Sequence, residues 1–365
     1  MAVQLGRLEE LPPGYLSRVA AAHLAPLWPQ LRSLVPHGQP GTRTLPTLWR
    51  YADIRPLLLE AGELTPIEKA ERRVLALCNP GLGLETLRAT ATIYLGMQLI
   101  KPGELAPTHR HTPSAIRLVI EGEGAYTIVS GEKLPMERGD LILTPSGRWH
   151  EHGHEGQDSV VWLDALDVPL LTSLEASYAI EGPSQPLSDP ANSSVRRYAQ
   201  GGLVPYRALD RGSSDYPLMR FPWSRVRAML DDLSEVTPRE EAVHMAYVNP
   251  ESGRECLPTL GFSALMLHPA QLLAPKSRSA SAVLHTIEGV LDVLVNGRSF
   301  RLEVADCLAV PPHARLQLGN ASSTKPAFVF VVDDAPVQRK LGFYQECAAD
   351  EAVAASTTTS AKYLP

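Results

Sequence analysis

At 365 residues with 44% hydrophobic content, the chain is long enough to fill the cores of two ordinary domains. A formal net charge of -6 with no basic cluster argues against nucleic acid as a partner, and no apolar run approaches the roughly 18 to 20 residues of a membrane span. The N-terminal stretch MAVQLGRLEELPPGYLSR is acidic where a signal peptide would be apolar, so a cytoplasmic location is expected, and the scattered Cys78, Cys256, Cys307 and Cys347 indicate reduced thiols.

Residues 1–90 carry apolar positions at helical spacing in YLSRVAAAHLAPLWPQLRSL and IRPLLLEAGEL, which predicts a helical N-terminal arm. From Thr92 the pattern changes to strand-length pieces bounded by Gly, Pro or charge: TIYLGMQLI, AIRLVIEG, GAYTIVSG, KLPMERGDLILTP and VVWLDAL. Such regular spacing predicts an all-β sandwich or barrel over 91–170. A less regular linker containing EGPSQPLSDPANSS follows over 171–246, then a second barrel over 247–340. Residues 341–365 are expected to be a tail, its end AASTTTSAKYLP disordered.

The second barrel is inferred from a repeat. PGELAPTHRHTPSAIRLVIEG (Pro102 to Gly122) aligns without a gap to PAQLLAPKSRSASAVLHTIEG (Pro269 to Gly289), and GDLILTP matches ADCLAVP. Where the first copy has His109 and His111 the second has Lys276 and Arg278, and in place of His150 stands Leu316 or a neighbour. The histidines therefore belong to chemistry confined to the first barrel. His109 and His111, two apart on a strand, face one side, and His150 would join them from an antiparallel strand as a third ligand to one transition metal.

These residues carry a family resemblance. Gly103, His109, His111, Gly122, then Gly139, Pro145, Gly147 and His150 resemble the two motifs of the cupin superfamily, with Ala115 in place of its usual glutamate ligand and His154 in place of its asparagine. ERRVLALCNPGL, LGMQLIKPGELAPTHRHTPSAIRLVIEGEGAYT, WHEHG and VWLDALDVP are together similar to the gentisate 1,2-dioxygenase group, whose relatives cleave salicylate and 1-hydroxy-2-naphthoate. The likeness is strong over about 71–169 and weaker through about 340.

The resemblance implies a bicupin of two jelly-roll barrels, with one Fe(II) per subunit held by His109, His111 and His150. It further implies cleavage of an aromatic carboxylate, gentisate before salicylates, by O2 between the carboxylate-bearing carbon and its hydroxyl-bearing neighbour. A guanidinium is the expected partner of the substrate carboxylate. Arg117, six residues after His111 on what is expected to be the same strand, is the first candidate. Arg73 matches a second family arginine in a pocket-lining stretch of the arm, and Arg72 is the alternative. His152 follows His150 at strand spacing and matches a family acid/base group, Asp164 a family aspartate near the substrate, while His154 is expected in solvent. Tyr94, Gly96 and Gln98 alternate on the preceding strand toward the same pocket; some relatives of broader range carry Trp at position 94. A homo-oligomer is expected, a tetramer by resemblance. A different cupin enzyme, or a binding or storage bicupin, is the remaining alternative; Ala115 counts against the former, and the histidines with Arg117 against the latter.

Overall fold

The computed structural model describes residues 6–348 except 39 and 212; AASTTTSAKYLP lies outside them. By its internal contacts the chain divides into two units, Met1–Arg43 and Thr44–Pro365. The first holds α1 (Pro13–Ala21) and α2 (Leu31–Leu34), α1 opening on Pro13, whose fixed φ suits a first helical turn.

The second unit starts with β1 (Thr47–Trp49), α3 (Tyr51–Leu64), α4 (Ile67–Ala70) and β2 (Arg73–Ala76). The stretch expected as a helical arm and pocket-lining segment thus contributes two strands, because RVLA and TLW find ladder partners at sheet edges, which local periodicity does not reveal. Next come β3 (Tyr94–Ile100), β4 (Leu105–His111), β5 (Ala115–Glu121), β6 (Ala125–Val129), β7 (Glu132–Pro135), β8 (Leu141–Thr144), β9 (His150–His154), β10 (Val160–Leu166) and α5 (Val168–Ser173). The expected linker supplies β11 (Ala179–Glu181), β12 (Arg220–Phe221) and β13 (Val243–Ala246). The repeat comprises β14 (Gly261–Leu267), β15 (Lys276–Arg278), β16 (Ala282–Glu288), β17 (Leu291–Val295), β18 (Arg298–Leu302), β19 (Cys307–Val310), β20 (Arg315–Gly319) and β21 (Ala327–Asp333). The segment expected as a tail begins with β22 (Glu346–Ala348), which pairs with β15.

Each repeat is a sandwich of a six- and a five-stranded sheet. The first has orders β12-β8-β5-β10-β3-β2 and β11-β4-β9-β6-β7; the second, β1-β19-β16-β21-β14-β13 and β18-β17-β20-β15-β22. Linker and tail strands therefore cover edges that would otherwise expose unpaired backbone groups. In the six-stranded sheets both faces are buried. Leu265 and Leu267 belong to the core of the second sandwich, whereas Phe262, Ala264 and Met266 on the same strand join the core that contains Leu95, Met97 and Leu99. This double burial explains why β3, β14 and β21 read as almost continuous apolar runs.

Candidate metal centre and substrate cavity

Both sheets of the first sandwich contribute to one site. From the five-stranded sheet, His109 of β4 pairs directly with His150 of β9, after a bulge between Ala106 and His109. The ring centroids of His109 and His150 are 4.1 Å apart, those of His111 and His150 4.8 Å, and those of His109 and His111 5.2 Å. The turn before β9 is tied to the ligand strand by the Gly147 N–H, which donates to the His111 carbonyl at 2.8 Å, with Gly147 at φ +71° where a side chain would be strained.

The imidazoles are set up as neutral ligands. Burial pushes His109 down to about 3, helped by Arg72, and His111 to about 4. Burial first, and Arg117 second, hold His150 and His152 far below the ordinary histidine range. His111 Nδ1 lies 2.6 Å from the Pro113 carbonyl and His150 Nδ1 2.9 Å from the Arg148 carbonyl. A carbonyl only accepts, so each Nδ1 carries the proton and each Nε2 keeps its lone pair. His150 Nε2 is buried with no hydrogen-bond partner, the condition of an atom placed for a metal. The three ligand atoms lie within 4.8 Å of one another, and among the described residues no other His, Cys, Asp and Glu group meets that test. Three neutral nitrogens suit a first-row transition metal. Ala115 is fully buried and adds no carboxylate.

The six-stranded sheet supplies the facing wall. Asp164 of β10 lies between Gly96 of β3 and Arg117 of β5 in the ladder. Arg117 Nη1 donates to Thr144 Oγ1 at 2.7 Å, and its Nε lies 3.4 Å from Asp164 Oδ1. Burial lowers the guanidinium to about 10, which leaves it charged at neutral pH, and raises the Asp164 carboxyl to about 6 against the pull of Arg117. The Trp162 indole donates to Asp164 Oδ1 at 3.1 Å. His111 and Arg117 are not on one strand as expected: Pro113 lacks an N–H, the ladder ends, and the chain crosses from one sheet to the other. They still converge, because both sheets face one interior.

That interior opens as a cavity of about 420 Å³, with Arg72, Tyr94, Gln98, His109, Arg117 and Asp164 among its lining. Arg73 does not reach it. Arg72, just before β2, and Val74 within it face the cavity, while Arg73 turns away to the Gly62 carbonyl and an ion pair with Glu104. Arg72 donates to the Pro107 carbonyl at 3.2 Å and contacts His109 Nδ1. Gly96 is required by space, since a Cβ there would come 2.5 Å from Val74 Cγ1 and 2.7 Å from Tyr94 Oη.

His152 is fully buried, its ring 5.7 Å from that of His150 and its Nδ1 2.9 Å from Thr127 Oγ1. The Thr127 hydroxyl points at Met136 Sδ, 3.6 Å away, so it accepts from His152 Nδ1–H and leaves the Nε2 lone pair without a partner. His154, expected in solvent, is buried: its Nδ1 accepts from the Gly156 N–H at 2.9 Å and its Nε2 donates to the Asp158 carbonyl, so it holds the turn. Leu87, Leu166, Val168 and Pro169 also line the cavity and carried no signal beyond being apolar in sequence.

Comparison with known proteins yields consistent relatives. A cupin-domain family model matches residues 96–166. A gentisate 1,2-dioxygenase of a Ralstonia species is 50% identical over 345 residues, 94% of this chain and 97% of that protein. A 5-aminosalicylate 1,2-dioxygenase of a Comamonas species is 38% identical over 340 residues, 90% of this chain and 88% of that one. The crystal structure of salicylate 1,2-dioxygenase from Pseudoaminobacter salicylatoxidans, an adduct with gentisate, superposes with a TM-score of 0.87 at 29% identity, covering 95% of this chain and 96% of that one.

Proposed function

The chain belongs to the bicupin family of ring-cleaving dioxygenases that includes the gentisate and salicylate 1,2-dioxygenases, and on that premise we propose that it cleaves gentisate with O2 between C1 and C2 to give maleylpyruvate. The observation that carries this reading is a cluster of three neutral imidazoles, two of which, His109 and His111, line one cavity with the buried, charged Arg117. Fe(II) is the metal proposed at His109, His111 and His150, one per subunit, where it would supply the redox chemistry that joins O2 to an electron-rich ring.

The chain's own residues bind and orient. Arg117, held by Thr144 and Asp164, and Arg72 receive the substrate carboxylate; Arg72 takes the part that the family resemblance gave to Arg73. Their charge offsets the loss of water around that carboxylate inside the cavity. Tyr94 and Gly96 shape the space beside the ring, and Gln98 offers a hydrogen bond to a ring hydroxyl. The unpartnered Nε2 of His152, buried beside His150, accepts a hydrogen bond from a ring hydroxyl.

Salicylates lacking the 5-hydroxyl are the second reading, favoured by the apolar lining of Val74, Leu87, Leu166 and Val168, which offers no hydrogen bond to a ring substituent. A homo-oligomer in the cytoplasm, a tetramer on the family resemblance, belongs to the same proposal. Leu24, Trp28 and Leu34 in the first unit are exposed apolar surface that an assembly would cover. No helix among the described residues is long and apolar enough to cross a membrane.

Oxygen uptake by anaerobically Fe(II)-loaded protein tests the reading, with gentisate, salicylate and 5-aminosalicylate offered in parallel and the ring-opened product followed in the ultraviolet. Turnover of gentisate well above the others supports it. Preference for rings without the 5-hydroxyl selects the second reading, and no turnover of any of them by iron-loaded protein rejects both.

A further inference from the structure

The second sandwich keeps the registers of the first and changes the chemistry inside them. In the first, His109 pairs with His150 and Asp164 with Arg117; at the matching positions of the second, Lys276 pairs with Leu316 and Val331 with Leu284. Of the metal-ligand and guanidinium positions, those of His150 and Arg117 have thus become leucines, and those of His109 and His111 are Lys276 and Arg278. Yet the interior has not closed. It retains a cavity of about 560 Å³, larger than the one beside the histidines, walled by Leu284, Leu316, Leu318 and Val331. Side chains of a purely structural sandwich would pack to leave few voids larger than a water molecule. A space with such walls suits an apolar molecule better than ordered water, which needs two to four polar partners.

The polar lining decides the other end of the ligand. Arg278 donates to Asp333 at 3.1 Å, and Lys276 has Glu346 at 3.7 Å, with Glu240 and Glu241 adding further negative charge. Among the described lining residues, both cations are thus paired with carboxylates. His244 lines the cavity at its solvent-exposed rim, and partial desolvation there, with Arg278 nearby, lowers it to about 4, so its imidazole is neutral at pH 7. A neutral imidazole both donates and accepts, as a hydroxyl does.

We propose that the second sandwich is a ligand-binding site for an uncharged, largely apolar molecule bearing one hydroxyl, its body among Leu284, Leu316, Leu318 and Val331 and its hydroxyl at His244. The site is separate from the metal centre and does not depend on the reaction assigned there.

Titration of the full-length protein with 2-naphthol at pH 7, followed by the probe's fluorescence and by calorimetry, tests this, with 2-naphthoate as the charged counterpart. The proposal expects one saturable 2-naphthol site per chain, weakened at least tenfold by Leu284→Trp, which fills the cavity, and unchanged by Arg117→Ala. Absence of saturable binding overturns it. So does loss of binding in Arg117→Ala alone, which would put the probe at the metal centre, and so does tighter binding of 2-naphthoate that Leu284→Trp abolishes, which would make the ligand an anion. Should Leu284→Trp fail to fold by circular dichroism, the milder Ala314→Met and a 2-naphthol-soaked crystal give the same decision: the ring lies between Leu284 and Leu316, or the proposal falls.

Discussion

Arg72 and Arg73 are neighbours in the chain and opposites in the fold. Arg72 lines the cavity and touches His109, whereas Arg73 is buried on the other side of the sheet against Glu104 and the Gly62 carbonyl. One residue of strand parity separates a group that can meet substrate from one that holds the arm of the fold in place.

Substituting the two separately gives different outcomes. Arg72→Ala is expected to raise KM for an aromatic carboxylate by about tenfold or more with bound metal retained, the loss of a charge-assisted contact. Arg73→Ala breaks a buried ion pair and is expected to lower unfolding free energy by about 3 kcal/mol, with kcat/KM per folded molecule close to that of the parent. Denaturant melts and steady-state kinetics on both variants check this. A stable, inactive Arg73→Ala protein would reverse the assignment.

Removing one ligand should empty the metal centre. His150→Ala deletes the Nε2 that has no other partner, and leaves one ligand nitrogen each from His109 and His111. Metal content by mass spectrometry is expected to drop from one ion per chain to near none, and ring cleavage with it. Retention of stoichiometric metal would remove His150 from the ligand set.

Gly96→Ala tests how tightly the cavity wall is packed. The new Cβ meets Val74 Cγ1 and Tyr94 Oη at less than 3 Å, and Tyr94 is the neighbour with room to move. The expected result is a change in KM ratio between gentisate and salicylate of several-fold, with metal content unchanged. An identical substrate profile would show that Tyr94 does not face the ring.

The pH dependence of stability carries a signature from the second sandwich. His285 is buried with Nδ1 3.3 Å from Cys307 Sγ, and burial lowers its pKa from 6.5 to about 3. The unfolded chain therefore binds a proton between those values that the folded one refuses, so this group costs stability as pH falls through 6.5 toward 3. Between pH 7 and 5 its share is about 2 kcal/mol. His285→Leu should lose that much less stability than the parent across the same interval. Parallel denaturant melts at the two pH values measure it, and equal losses would mean that His285 is protonated in the fold.

Much was legible in the chain before any coordinates. The HxH pair, the later His150 and the glycine-rich turns specify ligands on two strands, because ligand chemistry demands particular residue types at period-two spacing. The internal repeat announced two sandwiches, and its substituted histidines confine the three-histidine cluster to the first. Local residue identity is sufficient for such features.

Other features were set by partners distant in sequence. Which of Arg72 and Arg73 faces the cavity depends on where β2 joins β3. The chain between His111 and Arg117 reads as one strand, yet it breaks at Pro113, and the two residues meet only because both sheets enclose one interior. His154 looked solvated in its glycine-flanked turn and is buried by the Asp158 loop. The short strands β1, β2, β11 to β13 and β22 have too few residues to declare themselves, and exist because a sheet edge offered them hydrogen bonds. Residue type determined the chemistry of this protein by itself; direction, pairing and the persistence of a second cavity were decided by long-range packing, which no local pattern encodes.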